Sequence, residues 1–193
     1  ALYFGHPGNQ GDAIVWGEAL GAATRHLSGH QGHGSVAHPA GILITWATVM
    51  EGGFQVNVAG ERFSNEAKGY SEQASNVLAQ PEGIAWTVFD TRIAAMAAQF
   101  EDFRSAERMH AIIEADTIEA LAERMQVSPE KLTASFRAFE NCKAEGGADP
   151  FGRSLADVPP LRAPFKAVRV TGALFHTQGG LGVDGEARGV RRD

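Results

Sequence analysis

Two closely spaced helix starts followed by a proline tract restrict this chain more than any other feature. In Asp116-Thr117-Ile118-Glu119, Asp116 supplies an N-cap acceptor three residues before Glu119. This capping box opens a helix that carries Ile118, Leu121, Ala122 and Met125. Ser128-Pro129 repeats the signal, with Pro129 at the first helical position, where a missing N–H costs nothing. That second helix sets Leu132, Phe136 and Phe139 on one face and is predicted to stop near Gly146-Gly147. Residues 149–164 then hold four prolines, which exclude regular structure and predict an extended connector.

The remaining segments mix both periods. Asp12 is the expected N-cap of a helix over 13–22, whose apolar stripe is Ala13, Ile14, Val15, Trp16, Ala19 and Leu20. Residues 26–38 are rich in Gly, Ser and His, have no apolar period and read as a loop over a site. Phe54, Val56 and Val58 alternate with polar residues ahead of Ala59-Gly60, predicting a β-hairpin that returns through Glu61-Arg62-Phe63. A helix over 72–79, a strand over 85–89, a helix over 93–108 and a strand through Val168, Val170 and Leu174 complete the prediction. The mixture indicates an α+β architecture.

Several function classes are excluded by composition. A net charge of -6 without a basic stripe argues against a nucleic-acid partner. The single Cys142 rules out an intramolecular disulfide framework and a multi-thiolate metal site, and it is compatible with the cytoplasmic location expected here. No basic segment followed by an apolar core opens the chain, and no run of eighteen apolar residues predicts a membrane span. There is no Gly-x-Gly-x-x-Gly leading from a strand into a helix, no phosphate loop and no nucleophile elbow, so a complete dinucleotide site is not encoded within these residues.

The candidate chemistry lies in His176-Thr177-Gln178-Gly179-Gly180, where an imidazole precedes two residues without side chains and a planar ligand could approach the backbone. A turn with a satisfied histidine is the bland alternative. His38-Pro39 closes the Gly-rich segment and is a second candidate, while Tyr70 follows the predicted hairpin and could donate a proton or simply pack. His26, His30, His33 and His38 invite a zinc reading, but no Cys or acidic residue joins them and no metal is expected.

Taken in order, Gly11-Asp12-Ala13-Ile14, Glu18-Ala19-Leu20-Gly21-Ala22, His38-Pro39, Gly60-Glu61-Arg62-Phe63-Ser64-Asn65-Glu66 and His176-Thr177-Gln178-Gly179-Gly180 resemble the FAD-dependent fumarate reductase and succinate dehydrogenase flavoproteins. Nearly the whole chain takes part in the resemblance. It implies a fragment of a longer polypeptide: residues 1–40 coming from the FAD-binding domain, 41–172 forming the capping (substrate) domain, and 173–193 returning into the FAD-binding domain. It further implies an oxidoreductase that exchanges a hydride with flavin N5 at one carbon of a C–C bond, with FAD held only in the full-length parent.

By the same resemblance Asp12 contacts FAD, Thr177, Gln178, Gly179 and Gly180 pass beside its ring, and His38 and His176 hold substrate. The family's proton-donating arginine falls at Tyr70, and its Thr-Glu and Arg relay falls near Thr45-Trp46 and Val49. Those departures imply a catalytic Tyr70 beside His176 and a substrate other than fumarate itself, with a dicarboxylate and a larger enone or steroid as competitors and Trp46 and Val49 leaning toward the latter. A phenol of ordinary pKa, about 10, needs help from its surroundings in that role. The expected partners are a small-molecule substrate and the rest of the FAD-binding domain, and the alternative is a cofactor-free capping module without activity of its own.

Overall fold

The computed structural model describes residues 2–146 and 149–192. Its elements are β1 (Leu2–Tyr3), α1 (Asp12–Ala19), β2 (Thr24–Arg25), β3 (His30–Ala37), β4 (Ile42–Leu43), α2 (Ala47–Met50), β5 (Phe54–Asn57), α3 (Tyr70–Leu78), β6 (Ile84–Asp90), α4 (Thr91–Ala97), α5 (Glu101–Arg108), β7 (Ile112–Ala115), α6 (Ile118–Met125), α7 (Pro129–Glu145), β8 (Phe165–Thr177) and β9 (Gly180–Leu181). The α+β mixture is as expected.

β8 organises a seven-stranded sheet because it is paired along both edges. One edge takes β7 against 165–168 and then β3 against 170–177. The other takes β6 against 165–171 and then β1, in parallel, against 173–174. β4 and β5 extend the sheet outward from β3 and β6, and β2 pairs separately with β9.

Helix α3 lies on β3 and β8 where their side chains vanish. A Cβ on Gly32 would stand 2.6 Å from the Ala74 Cβ, one on Gly34 2.7 Å from the Gln73 backbone, and one on Gly172 2.7 Å from the Ala74 carbonyl. Glycine is what permits this approach of helix to sheet. The same glycines hide β3 from a reading by period. With Gly34, Ser35, Val36 and Ala37 all buried, its composition reads as a loop although it is an inner strand.

Other departures have local causes. Helix α1 is capped by Gly11 at φ 85° with no side-chain hydrogen bond, so Asp12 is its first residue and not its cap. The return limb of the predicted hairpin forms no strand, and its backbone bond to the outgoing limb is the Asn57 N–H on the Glu61 carbonyl at 2.9 Å. Asn57 Oδ1 accepts from the N–H groups of Ala59 and Glu61, making the turn, but β5 pairs with β6, Phe54 opposite Val88 and Asn57 opposite Ala85. Arg62 is instead drawn inward, its Nε 3.0 Å from Glu66 Oε1 and its Nη1 bonded to Asp149.

The helix expected over 93–108 is two, α4 capped by the Asp90 side chain on the Ile93 N–H at 2.9 Å, and α5. Thr117, and not Asp116, caps α6 by accepting from the Ala120 N–H at 3.1 Å. Ser128 and Pro129 open α7 as predicted, and Leu132 and Phe139 are buried. Its C-cap is Gly146; Gly147 lies outside the described residues.

Residues 149–164 form no helix or strand among those described, and ionic contacts fasten them down. Glu66, fully buried, accepts from Arg62 at 3.0 Å and from Arg153 at 3.2 Å. Arg153 also donates to the carbonyls of Val49 and Gly53. Arg62, Lys143 and Arg153 all stand over the Phe139 ring, 4.5–5.2 Å from its centroid. The Arg-Phe-Ser-Asn-Glu stretch thus fastens the connector to the core.

Candidate active site

The first residue of α3, Tyr70, comes to rest against β3. Its ring lies 5.0 Å from that of His33 at an interplanar angle of 19°. The stack continues through His33 to Phe175 at 5.2 Å and from Phe175 to Phe4 at 4.8 Å, while Trp46 meets His33 edge-on at 5.7 Å. The Tyr70 hydroxyl accepts from Gln31 Nε2 at 2.6 Å, and Gln31 is paired across the sheet with His176. β3 and β8 therefore bring Gln31 and His33 against Tyr70, with Phe175 stacked on His33 and His176 paired with Gln31.

His33 is uncharged in this setting. Burial among rings pushes its pKa down to about 4, and its Nδ1 accepts from the Ser35 N–H at 3.2 Å, leaving Nε2 as the proton-bearing nitrogen. The Trp46 Nε1–H is buried and finds no hydrogen-bond partner among the described residues. A site built this way has aromatic, electrically neutral walls and a phenol at its rim, since Tyr70 is 38% exposed.

A second feature lies just beyond, past the C-terminal end of β8. A cleft of about 590 Å³ is lined by residues that include Tyr3, Gly11, Asp12, Thr177, Gly179 and Gly180. The N-terminus of α1, which no side chain caps, opens beside it. Free N–H groups there suit a phosphate, while the Asp12 carboxylate can accept from a sugar hydroxyl. A Cβ on Gly11 or Gly180 would meet nothing within 4 Å, so space for a ligand is open at both. Gly179 is different: a Cβ there would stand 2.0 Å from the His26 carbonyl, so its missing side chain accommodates the protein's own 26–29 turn. The cleft is of ligand size and could hold part of a dinucleotide.

The predicted residues thus fall into two groups. Asp12, Thr177, Gly179 and Gly180 share the cleft, with Gln178 beside it, its N–H bonded to the Gly29 carbonyl. Tyr70 and His176 share the neighbourhood of Gln31. His38 stands apart, past the end of β3 with its N–H on the Arg169 carbonyl, on the order of 20 Å along the strand from Gln31. His33, weighed in the sequence only as a metal ligand, occupies the place beside Tyr70 instead. Its signal is the Gln31-x-His33 alternation, masked by the glycines between and after them. Trp46 joins the rings, whereas Val49 is a core residue. Among the described residues no three His, Cys, Asp or Glu side chains gather as a metal site.

The architecture is that of the fumarate reductase flavoproteins and their ketosteroid-oxidising neighbours. An open-conformation flavocytochrome c3 fumarate reductase superposes on 98% of this chain and 35% of its own with a TM-score of 0.74 at 23% identity. A 3-ketosteroid Δ1-dehydrogenase from Sterolibacterium denitrificans does so over 99% and 41% with a TM-score of 0.68 at 23% identity. The chain belongs to the FAD binding domain family, whose model matches residues 2–193. In sequence, a probable fumarate reductase, Ifc3, of Shewanella frigidimarina (strain NCIMB 400) is 26% identical over 174 residues, 90% of this chain. The chain spans 29% of that relative's length. Among the described residues no helix is long and apolar enough to cross a membrane.

Proposed function

We propose that this chain supplies the substrate cover and part of the cofactor cradle of an FAD-dependent oxidoreductase that forms or reduces a C–C double bond in a small organic molecule. Residues 41–172 act as the cap, and 1–40 and 173–193 belong to the FAD-binding domain. Exposed Val15 and Trp16 on α1 and Leu20 at its C-cap support the latter, because such a face suits burial under further polypeptide of the same domain. When bound, FAD supplies the two-electron step by exchanging a hydride at N5 with one carbon.

The observation that carries the reading is the Tyr70 hydroxyl, held by Gln31 at the rim of the ring cluster and one strand pair from His176. In reduction Tyr70 gives its proton to the carbon next to the one that receives the hydride; in dehydrogenation its phenolate takes that proton. His176 orients a carbonyl or carboxylate oxygen. Closure of the cap over the flavin excludes water from the transfer.

The ring cluster favours a neutral, cyclic substrate of enone type over a dicarboxylate. His33 is uncharged and Trp46 fills the space beside it, so these walls offer no cation to a second carboxylate. Turnover of the full-length protein on a panel of fumarate, acrylate-type acids, cyclic enones and ketosteroids tests this. Turnover of enones but not of fumarate is the expected result, and preference for fumarate would overturn the substrate assignment. The exposed α1 face also favours an isolated 193-residue chain that retains no flavin, so a colourless purified chain is expected and a yellow one would contradict it.

A further inference from the structure

Behind the Tyr70–His33 stack lies a pair of fully enclosed amides with no apparent part in catalysis. Gln55 on β5 and Gln73 on α3 are 0% and 1% exposed. Gln73 Nε2 donates to Gln55 Oε1 at 2.8 Å, and Gln55 Nε2 donates to the Gly34 carbonyl at 3.0 Å and to Thr87 Oγ1 at 3.1 Å. Gln73 Oε1 accepts from Ser64 Oγ at 2.9 Å and from Asn76 Nδ2 at 3.0 Å. Each amide is thus engaged at both its nitrogen and its oxygen.

The ends of this network are placed where the site needs them. Gly34 follows His33 on β3, and Gln73 stands one helical turn after Tyr70 on α3. The surface between them is the glycine-floored contact, where the Gly34 site touches the Gln73 backbone. Glycine against helix backbone sets how near α3 comes but does little to stop it sliding along the strand, since apolar packing is nondirectional. Hydrogen bonds of fixed length and direction do stop it, and a satisfied buried polar network specifies one register.

We propose that Gln55 and Gln73 are positioning residues that lock α3 in register on β3 and so hold the Tyr70 hydroxyl where the proton is transferred. This inference rests on the proposed role of Tyr70. It adds that the phenol's placement is set from the cap's interior as well as by the rim contacts, where Gln31 Nε2 donates to the Tyr70 hydroxyl at 2.6 Å and the Gly32 N–H donates to Ser71 Oγ at 3.1 Å.

The test uses full-length, FAD-loaded enzyme with its best substrate, comparing Gln73→Met, the milder Gln73→Asn, Tyr70→Phe and each Gln73 variant combined with Tyr70→Phe. Misplacement by a fraction of an ångström to 1 Å lowers kcat by ~10- to 100-fold. Loss of that order in at least one folded Gln73 variant is expected, with flavin content and KM little changed and no further loss in the Tyr70→Phe background. In substrate-free enzyme, the 13Cζ resonance of Tyr70 should shift or broaden in the same variant. A Gln73 variant that loses kcat equally with and without Tyr70 acts through general destabilisation and overturns the inference, as does unchanged kcat with an unchanged Tyr70 resonance. Unchanged kcat in Tyr70→Phe alone instead sinks the reading of Tyr70, and the resonance then still reports whether Gln73 places the ring. Failure of both Gln73 variants to fold would assign the pair to stability and overturn the positioning role.

Discussion

His33 and Tyr70, on a strand and a helix that never hydrogen-bond to each other as ladder partners, lie face to face with ring centroids 5.0 Å apart. The contact fixes the protonation state of one and the orientation of the other. An imidazolium in that stack would be a desolvated charge with no carboxylate beside it among the described residues, so the imidazole stays neutral.

That arrangement makes stability depend on pH in a defined window. The folded-state pKa of about 4 is below the unfolded value of 6.5, so between them the unfolded chain binds the extra proton. His33 therefore costs nothing above pH 6.5, and stability falls as the pH drops toward 4, by on the order of 3 kcal/mol. Urea unfolding at pH 7 and pH 4.5 should show this loss in the wild type and much less of it in His33→Phe.

The buried ions around Glu66 predict a larger effect. Glu66→Ala would leave Arg62 and Arg153 in the interior facing each other without the carboxylate they share. Removing one member of such a group costs about 3–5 kcal/mol. Chemical denaturation should register that loss, whereas Glu61→Ala, in an exposed pair with Lys131, should change stability by about 1 kcal/mol or less.

The two glycines after His176 should behave oppositely. Gly179→Ala drives a methyl into the His26 carbonyl and should lower Tm even without cofactor. Gly180→Val meets open space and should leave Tm of the flavin-free protein unchanged while weakening FAD binding by tenfold or more. Thermal melts paired with flavin fluorescence titration of the full-length protein separate the two.

How far the sequence reveals this molecule depends on whether a signal is local. Ser128 with Pro129 is legible because a cap and a fixed φ act within one turn. β6 and β8 are legible because runs such as Val168-Arg169-Val170 retain β-branched side chains. β3 is not, because helix α3 demands glycine at 32 and 34 and long-range packing replaces the alternation that would announce a strand. The hairpin fails for a related reason: Asp149 lies far along the chain, and its hold on Arg62 cannot be read from residues 54–63. The site shows the same division. Asp12, Thr177, Gly179 and Gly180 line one cleft, while the ring beside Tyr70 is that of His33, a placement that only the packing of α3 on β3 reveals.

The central claim is that the Tyr70 hydroxyl moves the proton that accompanies hydride exchange. Tyr70→Phe in the full-length, FAD-loaded enzyme removes that oxygen and keeps the ring on His33. Stopped-flow measurement of flavin oxidation or reduction by substrate should show the rate lowered by ~10²- to 10⁴-fold, with the flavin spectrum and Tm preserved. A rate within a factor of about two of the wild type would contradict the account.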